Sequence, residues 1–147
     1  MKKAIMRNRL LVLLPAASAC LALSACASGP QQPPKLNPKQ AEALEKELAG
    51  KVAGEKVSCI SQSAHMDMRA ISAEVLLYKS GRNLVYQNRL IGRCGGLERG
   101  DVPIITSYGG QLCRGDMVRV ADLVSGIQTG ACALGDFVPY RKPKPDQ

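Results

Sequence analysis

Six cysteines in 147 residues are the reactive side chains this sequence supplies in quantity. Cys59, Cys94, Cys113 and Cys132 follow one another at intervals of 35, 19 and 19 positions. Zinc ligands usually come in close pairs such as C-x-x-C, and dithiol redox sites use the same pair. The chain has no C-x-x-C, so neither a metal site nor a redox site is expected. An even set of widely spaced cysteines in a short exported chain reads instead as two structural disulfides. Four cysteines allow three pairings. The favoured one is Cys59–Cys132 with Cys94–Cys113. Cys59 and Cys132 lie in the first and last strand candidates, which tend to be neighbours in a closed sheet. The 20-residue loop from Cys94 to Cys113 is easy to close. Cys59–Cys94 with Cys113–Cys132 is the competing choice.

Other constellations are thinner. His65 is the one histidine and lies in a polar link, Ser61 to Arg69, with no nucleophile arranged around it. It reads as a loop residue. Asp101, Asp116 and Asp136 each follow a glycine, which is turn chemistry, since Gly reaches positive φ and Asp bonds its own following backbone. Nothing in their spacing makes them converge on an acid pair or a calcium ion. Arg99-Gly-Asp101 and Arg114-Gly-Asp116 spell an integrin-type tripeptide, which is taken as chance. Arg82, Arg89, Arg93, Arg99, Arg114 and Arg119 fall within 38 residues. Guanidinium groups pair with carboxylate or phosphate, so these residues form either a solvated face with local ion pairs or a patch for anionic polymers. No catalytic residue and no cofactor is expected.

The N-terminus gives an address. Lys2, Lys3, Arg7 and Arg9 precede an apolar run from Leu10 to Leu14, then small residues through Leu23. The run is broken by Pro15 and Ser18 and is too short for a membrane span, which needs about 20 apolar residues. It reads as an export signal. Leu23-Ser24-Ala25-Cys26 resembles the lipobox of bacterial lipoproteins. That resemblance implies diacylglycerol on Cys26, cleavage after residue 25 and acylation, typically palmitate, of the new amino group. Parity supports it: with Cys20 removed and Cys26 acylated, four cysteines remain to pair. Ala27 is not the Asp that retains some lipoproteins at the inner membrane, which leans toward the outer membrane, facing the periplasm. The full chain carries 20 basic and 12 acidic residues. Losing the four basic residues of the leader leaves 16 against 12, or +4. Much of the basicity therefore belongs to the signal, and with five aromatics in all, no nucleic-acid partner is expected.

Residues 26–37 are rich in Pro, Gln, Gly and Ser and read as a flexible tether. Residues 38–50 form a helix. Asn37 suits the N-cap, Pro38 the first turn and Gly50 the end, with Ala41, Leu44 and Leu48 as its apolar stripe. Residues 57–140 hold all the aromatics and the four paired cysteines. Strand candidates are 57–60, 70–78, 84–91, 102–107, 111–113 with 117–121, and a last one supplied by 128–134 and 137–138. A Gly-containing turn at 79–83 joins the second and third into a hairpin. The expected fold is mainly β, a small disulfide-bonded sandwich or barrel of about six short strands preceded by one short helix. Residues 141–147 read as a disordered tail.

Cys59-Ile60, Asn88-Arg-Leu90 with Cys94-Gly-Gly-Leu97, Leu112-Cys-Arg-Gly-Asp116 and Cys132-Ala-Leu-Gly-Asp-Phe-Val-Pro-Tyr140 together resemble a proteobacterial family of small exported proteins, a domain of unknown function. The resemblance covers about residues 57–140. It implies export and a four-Cys β domain, and brings no activity, cofactor or partner. The expected protein is a non-enzymatic periplasmic lipoprotein, held to the membrane by the lipid on Cys26. It associates with an envelope protein or an anionic envelope polymer. An inhibitor of a cell-wall hydrolase is the alternative, weakened because such enzymes are usually cationic like the mature chain. A small hydrolase comes last, for want of a nucleophile–base pair.

Overall fold

The computed structural model describes residues 33–63 and 66–143. One helix, α1 (Pro38–Leu48), precedes ten strands: β1 (Val52–Ala53), β2 (Cys59–Ser61), β3 (Met66–Ser72), β4 (Val75–Ser80), β5 (Leu84–Arg89), β6 (Val102–Ile105), β7 (Gln111–Cys113), β8 (Met117–Ala121), β9 (Gln128–Ala133) and β10 (Phe137–Arg141). They form three antiparallel sheets, ordered β1-β10-β5-β4-β3, β2-β7 and β6-β8-β9. The fold is mainly β, as expected, with more and shorter strands.

α1 begins where the sequence says it should. The Asn37 side chain accepts from the Gln40 N–H at 2.9 Å, and the Gln40 side chain accepts back from the Asn37 N–H at 2.9 Å. Two of the helix's orphan donors are thereby satisfied. The helix lies on one face of the five-stranded sheet. Leu36, Ala43, Leu44 and Leu48 pack on Ile71, Val75, Leu77 and Val85. Ala43, rather than the expected Ala41, completes the stripe. The opposite face of the same sheet supplies Leu76, Tyr78, Leu90 and Phe137 to a larger core shared with Ile60, Leu97, Leu112, Val118, Val120 and Leu134. Burial on both faces is why Val75-Leu-Leu-Tyr78 shows no period-two alternation.

That unbroken run also concealed a turn. Residues 70–78 are not one strand: β3 and β4 are joined by a tight hairpin through Ala73-Glu74, with Ser72 opposite Val75. The turn has no Gly, Pro or Asn, and Ala73 is buried. Ser72 Oγ accepts from the Glu74 N–H at 3.1 Å, and the N–H groups of Leu90 and Cys94 cap the Glu74 and Ala73 carbonyls, each at 2.9 Å. Tertiary contacts close a turn that the local sequence does not announce. The C-terminal boundary also moves. Arg141 is paired in β10 and the Lys142 N–H bonds the Asn83 carbonyl at 3.0 Å, so the fold runs past residue 140.

The disulfides are Cys59–Cys113 and Cys94–Cys132. This is the third pairing, not the favoured Cys59–Cys132 with Cys94–Cys113, nor its competitor. The first and last strands are indeed neighbours, but they are β1 and β10. After Val57 bridges Phe137, the chain leaves that sheet and β2 pairs with β7. Cys59 and Cys113 are then direct cross-strand partners, 4.1 Å apart at Cα. Cys132 sits on β9, beside the bridge from Ile91 to Ala133 that carries Cys94 toward it. The approach depends on glycine: a Cβ on Gly130 would lie 2.6 Å from the Gly95 nitrogen.

A second buried link joins β5 to the turn before β10. Asn88 is fully buried in the sheet. Its Nδ2 donates to the Gly135 carbonyl at 2.8 Å and its Oδ1 accepts from the Gly135 N–H at 3.0 Å. The carboxamide thus does for Gly135 what a neighbouring strand would do.

Candidate functional site

The residues singled out in the sequence do not assemble. The three carboxylates are each occupied locally. Asp101 pairs with Arg99 at 3.0 Å and Asp136 with Arg114 at 3.3 Å. Asp116 accepts the Cys113 N–H at 2.8 Å, closing the β7–β8 turn. Both integrin-type tripeptides are therefore spent on the fold's own turns. No group of three or more metal-ligating side chains forms among the described residues. Arg93 pairs with Glu74 and Glu98, both at 3.2 Å. Arg82 is exposed on the β4–β5 turn, Arg119 is exposed on β8, and Arg89 ends β5. Local pairing accounts for Arg93, Arg99 and Arg114. Glu47 on α1 binds Lys79 at 2.7 Å and Arg69, which hold its carboxyl below the ordinary range, the Lys79 hydrogen bond most strongly. Cys26 and His65 lie outside the described residues.

Two features went unread in the sequence. The first is a cavity of about 220 Å³ where the three sheets meet, walled by Met66, Met68, Tyr78, Ile105 and Leu112, with Gln62 among its polar groups. Tyr78 is 2% exposed and stands edge-on to Phe137 at 5.6 Å between centroids. Its hydroxyl is buried without a hydrogen-bond partner. Burial, and secondarily the charge of Asp116, push its pKa well above the ordinary tyrosine value, so the phenol stays neutral. Among the described residues the walls combine apolar contact with the polar side chains of Gln62 and Ser63. Tyr78→Phe removes a group that pays desolvation for no bond. Thermal denaturation should show a protein as stable as the parent, or up to about 1 kcal/mol more so; a marked loss would mean that the hydroxyl is satisfied in solution.

The second feature is the outward face of β6-β8-β9. Val102, Ile104 and Met117 are exposed there, and Arg119 stands opposite Ile104 in the register. At the end of this sheet the β8–β9 turn, residues 122–127, exposes Leu123, Val124 and Ile127. Asp122 organises the turn. Its carboxylate accepts the Ser125 hydroxyl at 2.7 Å and the Val124 N–H at 2.9 Å, which hold its pKa low. The one hint in the sequence was an apolar pair, Leu123-Val124, inside an otherwise polar Asp-x-x-Ser-Gly turn.

Fold and site together define a small β domain of three sheets cross-linked by two disulfides, the mark of a chain that matures in an oxidising, non-cytoplasmic compartment. No helix among the described residues is long and apolar enough to cross a membrane. The chain belongs to DUF6491, a family of unknown function, whose model matches residues 7–133. The matched stretch includes α1, which the resemblance on residues 57–140 had left out. No curated protein and no solved structure matches the chain.

Proposed function

We propose that this protein is a lipid-anchored envelope protein, acylated on Cys26, that works by association rather than by catalysis. The observation that carries the reading is the outward face of β6-β8-β9, where Val102, Ile104 and Met117 lie exposed on a disulfide-braced sheet. The carboxylates that an acid–base mechanism would use serve instead in local turns and ion pairs. The lipobox-like Leu23 to Cys26, and the Pro- and Gln-rich stretch after it, support tethering of this domain beside a membrane, the outer one by the residue at 27. The test has two arms. Fatty-acid labelling and membrane fractionation should lose the protein when Cys26→Ser is introduced. Envelope cross-linking through the anchored protein should yield a defined partner that Ile104→Lys with Met117→Lys abolishes, while both disulfides still form. Labelling that survives Cys26→Ser refutes the anchor; a partner unaffected by the double variant refutes the face.

A further inference from the structure

We infer that the cavity between the three sheets binds a small neutral molecule with an apolar body and one carbonyl acceptor, a ketone, ester or amide. This site is separate from the outward face of β6-β8-β9 and does not depend on it. β6 divides the two. Val102 and Ile104 are exposed on the outward side, while the alternate residues Pro103 and Ile105 line the cavity. On β3 the same alternation leaves Asp67 and Arg69 exposed and turns Met66 and Met68 to the cavity.

Size and lining set the body of the ligand. The volume is about 220 Å³. An apolar cavity of about 150 Å³ accepts benzene, so this one takes a six-membered ring with a substituent, or a chain of similar bulk. Leu112 and Tyr78 are buried, whereas Gln62 and Ser63 are exposed. The cavity therefore opens beside Gln62 and ends against Leu112 and Tyr78. Met66 and Met68 are unbranched and polarizable, and such side chains fit themselves to an occupant of irregular outline. Protein interiors are otherwise close-packed, and an empty space of this size forfeits contacts that an occupant restores.

Tyr78 sets the polar group. Its hydroxyl is the one buried side-chain nitrogen or oxygen without a hydrogen-bond partner among the described residues. Such a group is destabilising until it is paired, and a carbonyl in the cavity can pair it. Burial, and then the charge of Asp116, keep the phenol protonated and hence a donor. The same surroundings exclude an ionised ligand. None of the described lining residues is acidic or basic. A charged head would leave water with no counter-charge on the walls, and Asp116 would repel an anion brought up to the phenol.

Three probes with one ring in common make the test: cyclohexanone, cyclohexane and cyclohexanecarboxylate. Each is titrated into the full chain carrying isotope-labelled methionine methyls. The chain has five methionines. Met66 and Met68 line the cavity and Met117 is exposed on the outward face, so the signals tell the two surfaces apart. Cyclohexanone should shift Met66 and Met68 and leave Met117 unmoved, and cyclohexanecarboxylate should shift none of them. Tyr78→Phe, which should fold as the parent does, is expected to weaken cyclohexanone by about 3- to 10-fold, the worth of one hydrogen bond, and to leave cyclohexane unchanged. Ile105→Trp, verified to form both disulfides, should exclude both neutral probes by filling the space. Equal affinity of parent and Tyr78→Phe for cyclohexanone overturns the role of the hydroxyl. A carboxylate that binds as well as the ketone overturns the neutral class. Shifts confined to Met117, or no shift at saturating cyclohexanone, overturn the site and leave the outward face to its own test.

Discussion

Replacing Cys94 and Cys132 together by alanine should lower the melting temperature by about 15–25 °C. The bond closes a loop with a sequence separation of 38. Chain entropy alone makes its loss cost about 4 kcal/mol. Both sulfurs also sit in the main core, beside Val118 and Val120, so alanine leaves unfilled volume there. Removing Cys59 and Cys113 relaxes a longer loop of separation 54 but leaves no such void, because Cys59 is exposed and Cys113 half-buried. Calorimetry under non-reducing conditions should rank the buried pair as the costlier loss. Graded reductant followed by thiol alkylation should open Cys59–Cys113 first. The opposite order would mean that the β2-β7 ribbon is better shielded than its exposure says.

Asn88→Leu should cost about 2–5 kcal/mol. The two side chains share the same heavy-atom branching, but the leucine methyls are bulkier than the carboxamide and add some overpacking in a fully buried site. What is lost is the pair of bonds to Gly135, leaving a buried N–H and a buried carbonyl without partners. Relaxation is blocked because Gly135 lies against the Arg89 backbone so closely that a Cβ would not fit. Asn88→Asp tests the same point, since it keeps the acceptor and loses the donor. Urea unfolding should show both variants with a lower midpoint and an unchanged slope. A midpoint within a few tenths molar of the parent would mean that water replaces the carboxamide.

What could be read in the sequence was what local chemistry decides. Asn37-Pro38 and Gly50 bracket α1 because capping is a matter of a few adjacent residues. The hairpin at 79–83 was visible through its glycine. The Ala73-Glu74 turn was not, because its carbonyls are capped by Leu90 and Cys94, distant in sequence. The disulfide pairing failed for the same reason: it depends on β2 leaving the sheet that Val57 still touches. The Tyr78 cavity is formed by three sheets at once, and no window of sequence contains it. The apolar turn at 123–127 was written plainly, but periodicity analysis passes over turns.

α1 also decides how the fold responds to force. A pull on the N-terminal segment enters at Leu36 and acts first on the helix, not on any strand ladder. Leu36, Ala43, Leu44 and Leu48 would peel from the sheet in turn, and the Glu47 ion pairs to Arg69 and Lys79 would hold the far end last. Behind them stand the two-residue contact of β1 with β10, the Gly54 N–H bond to the Pro139 carbonyl and the Val57–Phe137 bridge. Both crosslinks join residues beyond this path, so the strap can rupture and reseat while the cross-linked β core stays intact. The helix is a mechanical fuse between whatever holds the N-terminus and the rest of the molecule.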